Sequence, residues 1–349
     1  MKIAIDVSPL QSGHKIRGTG FYLTYLKRAL LNYYPENDYH FFTQSEPILQ
    51  PVDVVHYPYF DPFFLTLPFN KKHKTIVTVH DLTPLIFPSR FPAGLKGNLN
   101  WRIQRFNLRK VDGILTDSKA SKKDIEKIIG VPDKKVSVAY LAAADEFTTL
   151  KINDLRLKSI KEKYNLPDEF VLYVGDVTWN KNLPRLLQAI KTIDVPLVLV
   201  GKSLVSQDFD RKNIWNKDLI EVQQLGNQNK NVMMLGFVPT EDLVALYNLA
   251  SVFVFPSVYE GFGLPIVEAM QSGCPVIISH EGCMPEVGGS AVEYFDGYNT
   301  DSLITAIAKV LNSTKLQKEL SQKGIEQAKK FSWKETAEKT IESYKKALA

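Results

Sequence analysis

The sequence predicts an α/β protein made of two doubly wound domains. Three observations carry that expectation. The 349 residues exceed what a single hydrophobic core commonly serves. Short β-branched runs alternate with amphipathic stretches, and most runs are apolar along their whole length, as in parallel strands covered on both faces. The alternation lapses over residues 151–168, which are polar, charged and without strand character, so the domain boundary is placed there.

In the first half, strands are expected at residues 2–7, 39–43, 52–57, 75–79, 113–116 and 136–140. Helices are expected at 20–32, 95–110 and 118–129, the last with Ser118 as N-cap and Gly130 just past its end. The second half repeats the pattern, with strands at 170–174, 197–200, 232–235, 252–255, 275–278 and 291–294. Its helices fall at 183–193, 241–248 and 265–272, followed by a helical tail from Asp301 onward. Ligands in such folds bind at the carboxyl ends of the strands, and two such domains facing one another would form a cleft.

Composition narrows the class. Hydrophobic residues make up 44% and charged residues 23%, ordinary for a soluble globular protein. Residues 1–7 read directly as a buried strand rather than a secretory signal, and no run reaches membrane-spanning length. Cys274 and Cys283 have neither metal-type nor disulfide-framework spacing and suit a reducing cytoplasm. Residues 1–150 hold 20 Lys+Arg against 14 Asp+Glu, a net of +6, while the remainder is close to neutral. A basic half can attract phosphate, nucleic acid or an anionic membrane surface. On a helix, Arg102, Arg105 and Arg109 share one face, either as a solvated surface or as a dock for anionic lipid.

The stretch from Pro256 to Met270, PSVYEGFGLPIVEAM, follows a buried strand, passes two glycines and opens a helix. Pro265 suits the start of that helix, where its missing N–H would be unpaired. The amides around Phe262 to Ile266, with the positive helix end, form an anion site. Gly261 and Gly263 permit positive φ and close approach of backbone to ligand. Glu260 on the loop and Glu268, expected in the first helical turn, can line one pocket and accept hydrogen bonds from sugar and ribose hydroxyls. The plainer alternative is that Glu268 only complements the helix dipole and the glycines only end a strand.

Glu260-x7-Glu268, in the form EGFGLPIVE, resembles the signature of retaining GT-B enzymes of glycosyltransferase family 4, the mannosyltransferase-like group 1 glycosyltransferases. The likeness extends along essentially the whole chain: Gly18-Thr19-Gly20-Phe21-Tyr22, His80-Asp81, Thr116 to Ser121, Tyr173-Val174-Gly175, Asn180-Lys181-Asn182, Leu235 to Val238 and Phe331-Ser332-Trp333. It implies two Rossmann-like domains facing a cleft. Residues 1–155 would bind the acceptor and 165–330 the nucleotide-sugar donor, with 331–349 a helix crossing back to the first domain.

The resemblance also implies roles. Lys181 would neutralise the leaving diphosphate, helped by backbone amides at Gly18, Thr19 and Gly20 and by the turn at Gly175. His80, at a strand's carboxyl end, would lie near the reacting sugar. Glu260 would meet the sugar hydroxyls, with Gly261, Phe262, Gly263 and Leu264 beside it, and Glu268 the ribose. The amides of Gly236, Phe237 and Val238 would meet the base. The reaction would retain anomeric configuration by front-face departure of the diphosphate, and no nucleophile is assigned. One departure stands out. Many relatives carry a basic residue shortly after the glycine at 175, but here the run is Asp176-Val177-Thr178-Trp179-Asn180. Either Arg185 or another group supplies the second charge, or backbone amides carry more of the binding.

Other readings were weighed. Asp208-Phe209-Asp210 imitates a metal-binding Asp-x-Asp but falls in a polar stretch, so no metal and no cofactor is expected. Gly18-Thr19-Gly20-Phe21-Tyr22-Leu23 lacks the third glycine of a dinucleotide fingerprint and follows its strand by about ten residues. Paired carboxylates also serve glycoside hydrolases, usually from separate elements. A non-catalytic relative, acting as partner subunit or sugar-nucleotide sensor, is the remaining rival. The expected partners are a GDP- or UDP-sugar, a glycan or lipid-linked acceptor and an anionic membrane surface, with no nucleic acid. The aromatic, proline-rich loops at 57–69 and 83–97 would either shape the acceptor site or pack on the core.

Overall fold

The computed structural model describes every residue except 12–17, 45, 47, 49 and 70. The chain divides into two compact units, one of residues 1–142 and 332–349 and the other of residues 143–331.

The first unit holds a parallel six-stranded sheet: β1 Lys2–Asp6, β2 Asp38–Phe42, β3 Val54–Tyr57, β4 Lys74–Thr78, β5 Gly113–Thr116 and β6 Val136–Val138. Its order is β2-β1-β3-β4-β5-β6, with Ile5 paired to His56 and His56 to Ile76. The connecting helices are α1 Gly18–Tyr33, α2 Thr83–Ile86, α3 Gly94–Arg109 and α4 Lys119–Ile129. Ser118 caps α4 by accepting from Ser121 N, and Gly130 at φ +80 ends it in the left-handed conformation, where glycine alone avoids a Cβ penalty.

The second unit contains α5 Leu155–Lys163, β7 Val171–Val174, α6 Leu183–Ile193, β8 Leu197–Val200, α7 Lys202–Val205, α8 Lys217–Gln228 and β9 Val232–Met234. It continues through α9 Thr240–Leu249, β10 Val252–Phe255, α10 Leu264–Gln271, β11 Val276–Ser279, α11 Met284–Gly288, β12 Glu293–Phe295, α12 Thr300–Leu311 and α13 Thr314–Ala328. The order β12-β11-β10-β7-β8-β9, all parallel, is the doubly wound arrangement with its strand order reversing between β7 and β10. Every residue of β7, β8, β10 and β11 is buried, so both sheet faces are covered. Each such aliphatic side chain contributes about 1.5–3 kcal/mol of transfer free energy.

The last helix, α14 Trp333–Leu348, belongs to the first unit. Thr336 Oγ1 donates to Tyr140 O at 2.6 Å, and the buried Tyr344 hydroxyl meets His56 Nδ1 at 2.8 Å. These polar contacts fix the helix to β3 and to the segment after β6.

Three differences from the sequence expectations have physical causes. The units divide at Ala142, ahead of the expected 151–168 boundary. Gln271 Nε2 donates to Ala144 O and Phe147 O, and Asn248 bonds the backbone of Thr148 and Leu150, so residues 143–150 are held by the second unit. The supposed linker contains α5, whose single buried residue, Ile160, gives little periodic signal. Helix α8 buries Leu219, Val222, Gln223 and Gly226. That stripe has helical spacing, but half of it is glutamine and glycine, which hides it from a hydrophobic-period reading.

Candidate functional site

The second unit's constellation forms at the point where strand order reverses. After β7 the chain passes Gly175 and makes a 3-10 turn at Trp179–Lys181, and Asn182 takes up a left-handed conformation at φ 59. After β10 it runs through Pro256 to Gly263. The two segments are laced together: Val258 N donates to Asn180 O at 2.8 Å, and Asn180 Nδ2 to Tyr259 O at 2.9 Å. Asn182 Nδ2 reaches Pro256 O and Gly297 O. This lacing brings Lys181 Nζ to within 2.7 and 2.8 Å of the two Glu260 carboxylate oxygens. The side chains are only 19% and 12% exposed, so the pair is weakly screened.

Helix α10 begins beyond Gly263, whose φ of +90 and tight surroundings exclude a side chain: a Cβ there would lie 2.8 Å from Ile266. Gly261 has no positive φ, so only one of the two glycines meets the expected conformational demand. The amide cluster is also smaller than the sequence suggests. Pro265 has no N–H, and Ile266 N donates to Gly263 O at 2.9 Å, so neither offers a free amide at the amino end of the helix. Glu268 stands in the second turn of α10, not the first, because the helix begins at Leu264. Its Oε2 accepts from Tyr247 OH at 3.0 Å. Burial pushes its pKa up to about 7, only partly opposed by the Tyr247 hydrogen bond.

The carboxyl ends of β7, β8 and β9 carry Gly175, Gly201 and Gly236. Gly201 N donates to Gly236 O at 2.9 Å, and a Cβ on Gly201 would sit 2.1 Å from Gly175 O. Gly236 adopts φ +69. The three glycines form a side-chain-free backbone shelf, with Phe237 exposed beyond it and Val238 buried. Gly201 and Tyr247 were not singled out from sequence. Gly201 directly follows an apolar strand, the one signal that could have found it.

Arg185 does not join Lys181. Its guanidinium bonds Gly297 O, Asn182 Oδ1 and Thr300 Oγ1, so its charge secures the loop ahead of α12. Asp176 accepts from Ser203 Oγ and Val177 N. Asp208 and Asp210 lie in an exposed irregular segment, where Asp210 Oδ1 accepts from Lys212 N.

In the first unit, His80 follows β4 and Asp117 follows β5. His80 Nδ1 and Asp117 Oδ2 are 2.7 Å apart, and Asp117 is only 5% exposed. Burial is the largest single influence and lowers the His80 pKa, but the charge and hydrogen bond of Asp117, with the charge of Asp81 and a Pro58 backbone hydrogen bond, together turn the net direction upward. His80 Nε2 is buried and has no hydrogen-bond partner among the described residues. The Tyr22 ring packs edge-on at 4.8 Å from the imidazole. Its hydroxyl meets Thr78 Oγ1, which also meets His56 Nε2. His56 has its pKa lowered to about 3 by burial, then by the charge of His80, so it is a neutral link in this chain. Asp117 was noted from sequence only as part of a motif. Its pairing depends on the β4–β5 register, which no local pattern encodes.

Gly18, Thr19 and Gly20 form the first turn of α1 rather than a loop, with Gly20 buried. Their N–H groups belong to the end of a helix where amides lack intrahelical acceptors. The Arg102, Arg105 and Arg109 face is not simply solvated. Arg105 and Arg109 both direct Nε to Ile129 O, closing the end of α4.

Comparison with known proteins adds context. Residues 157–327 match the model of glycosyl transferases group 1, and residues 11–144 match that of glycosyltransferase family 4. The O-antigen chain mannosyltransferase B of Escherichia coli is 30% identical over 301 residues, covering 84% of this chain and 75% of the relative. The serotype-specific mannosyltransferase WbdA of Escherichia coli is 29% identical over 293 residues, covering 82% of this chain but 35% of the relative. The chain therefore spans only about a third of that relative's length. The Anabaena protein Alr3699/HepE, solved in complex with UDP and glucose, superimposes with a TM-score of 0.73 at 17% identity over 98% of both chains. No helix among the described residues is long and apolar enough to cross a membrane.

Proposed function

The chain belongs to the group 1, family 4 glycosyltransferases of the GT-B fold, and from that premise we propose that it transfers a hexose from a nucleotide diphosphate sugar to a glycan, glycolipid or lipid-linked acceptor. Mannose is favoured over glucose by the names of the relatives, and a GDP- or UDP-sugar is the donor. The setting is bacterial cell-surface polysaccharide synthesis, in the cytoplasm and at the inner face of the membrane where the acceptor is lipid-linked.

The observation that carries this reading is the Lys181–Glu260 pair at the carboxyl ends of β7 and β10. An ammonium suited to a leaving diphosphate and a carboxylate suited to sugar hydroxyls form one partly buried ion pair. Nearby, Glu268 can accept from ribose hydroxyls, and the shelf of Gly175, Gly201 and Gly236 lets a flat base approach backbone. Lys181 supplies the positive charge, so the reaction needs no metal.

In the reaction the bond from the anomeric carbon to the diphosphate oxygen breaks, and its electron pair leaves with the diphosphate. The acceptor oxygen forms its bond to the same face of that carbon, and its proton passes to the departing phosphate oxygen. Configuration is thereby retained.

The test is a thermal-shift series with GDP, UDP and their sugars, with and without EDTA, followed by transfer to a mannosylated acceptor detected by mass spectrometry. Stabilisation by one nucleoside diphosphate, unchanged by EDTA, and acceptor mass increased by one hexose are expected. Stabilisation without transfer to any acceptor would favour a non-catalytic relative. A shift with NAD alone would sink the transferase reading.

A further inference from the structure

Tyr22 on α1 is held in two ways. Its hydroxyl meets Thr78 Oγ1 at 3.0 Å, Thr78 Oγ1 stands 2.8 Å from His56 Nε2, and His56 Nδ1 stands 2.8 Å from the Tyr344 hydroxyl. Side chains from α1, β4, β3 and α14 are thereby joined in one hydrogen-bonded chain. None of them is more than 2% exposed, so water cannot replace a broken link. His56, kept neutral by burial, has one ring nitrogen to donate and one to accept, which suits it to join two hydroxyls. The second hold is aromatic. The Trp333 ring lies 6.4 Å from that of Tyr22 and stacks on Tyr25 at 5.4 Å. Trp333 opens α14 and Tyr344 lies near its end, so one helix reaches Tyr22 by both routes.

Beyond Tyr22 is His80. Thr78 and His80 are two residues apart and share one side of an extended segment. With its hydroxyl docked on the first, the Tyr22 ring reaches the imidazole of the second at 4.8 Å and 84°. Asp117 Oδ2 holds His80 Nδ1 at 2.7 Å, and the Pro58 carbonyl also draws on the ring. Hydrogen bonds act at the rim of an imidazole, whose outer torsion is broad. At 4.8 Å two perpendicular rings interlock, and neither turns without meeting the other. Phenylalanine would offer the same ring, but only the hydroxyl ties it to Thr78 and so to the sheet.

We propose that Tyr22 is a positioning residue for His80, and that α14 fixes Tyr22 through Trp333 and through the chain Tyr344–His56–Thr78. This deepens the reading in which His80 lies near the reacting sugar, and rests on it. The last helix then does more than cover the sheet, because it sets the direction of a side chain beyond the carboxyl end of β4.

The test compares Tyr22→Phe, which keeps the ring, Tyr22→Leu, which removes it, and Tyr344→Phe, which removes the far end of the chain. The first readout needs no sugar transfer: nuclear magnetic relaxation of the His80 Cε1–H bond reports how rigidly the imidazole is held. It is expected to be rigid in the wild type, mobile in Tyr22→Leu and intermediate in the two phenylalanine variants. The second readout is kinetic. In Tyr22→Leu kcat should fall about tenfold to a hundredfold, and less in the phenylalanine variants, with donor KM unchanged within about twofold. An imidazole equally rigid in all four proteins would overturn the proposal and leave the donor-site reading standing. Mobility without a fall in kcat, or a loss confined to donor KM, would also overturn it. Tyr22→Phe equal to the wild type in both readouts would strike out the hydrogen-bonded chain, and this variant decides the matter if Tyr22→Leu fails to fold. A wild type that transfers no sugar would sink the transferase reading, with relaxation still deciding what holds His80.

Discussion

Lys181 Nζ sits 2.7 Å from one Glu260 oxygen and 2.8 Å from the other, so the cation we propose for the diphosphate is held by the carboxylate we propose for the sugar. The pair keeps the ammonium placed before the donor arrives. Replacing Glu260 by Gln preserves shape and hydrogen-bonding capacity but removes the charge that orients Lys181. We expect kcat/KM to fall by about 10²–10³, with nucleotide still raising the melting temperature. Near-normal transfer by the variant would place the sugar elsewhere.

His80 gives a pH signature. Its folded pKa lies above the ordinary 6.5 because Asp117, Asp81 and the Pro58 backbone hydrogen bond together overcome desolvation, the largest single influence. A raised histidine stabilises the fold fully below about 6.5, and that stabilisation is lost as pH rises through the folded value. In Asp117→Asn, burial is opposed only by the charge of Asp81 and the Pro58 backbone hydrogen bond, so the loss of stability with rising pH should shrink. Melting temperature recorded from acidic to alkaline pH for both proteins checks this. Parallel curves would mean that Asp117 does not govern His80.

Glu268 makes the opposite trade between stability and binding. Its folded pKa of about 7 against an ordinary 4.5 means stability is fully present below 4.5 and lost as pH rises through 7. Glu268→Gln should therefore raise the melting temperature relative to wild type more at pH 8 than at pH 4, while weakening nucleoside diphosphate binding. Calorimetric titration of both proteins provides the second readout. An equal change in melting temperature at both pH values would contradict the assigned ionisation.

Gly201→Ala tests the backbone shelf. The new methyl would stand 2.1 Å from Gly175 O, and backbone cannot swing aside as a side chain can. A cost on the order of 1–3 kcal/mol is expected, read by chemical denaturation, together with loss of the thermal shift given by nucleotide. Wild-type stability would show that β7 and β8 separate easily at their carboxyl ends.

The sequence by itself determined the α/β class and the strands, because buried parallel strands are short continuous apolar runs whatever surrounds them. It also located Gly263 and Pro265 at the start of α10 and Ser118 at the start of α4, since caps and left-handed turns are local choices of residue. It could not see α5 or α8, whose buried faces are too sparse or too polar to register as a hydrophobic period. Nor could it divide the chain at Ala142, because that depends on Gln271 and Asn248 reaching back more than ninety residues. The pairings of His80 with Asp117 and Gly201 with Gly175 were decided by strand order and register, and that of Lys181 with Glu260 by strand order together with the hydrogen bonds that lace the loops after β7 and β10. Strand order and register set which strand ends are neighbours, and residues far apart in the chain acquire a shared electrostatic environment only when a sheet brings them within a few ångströms.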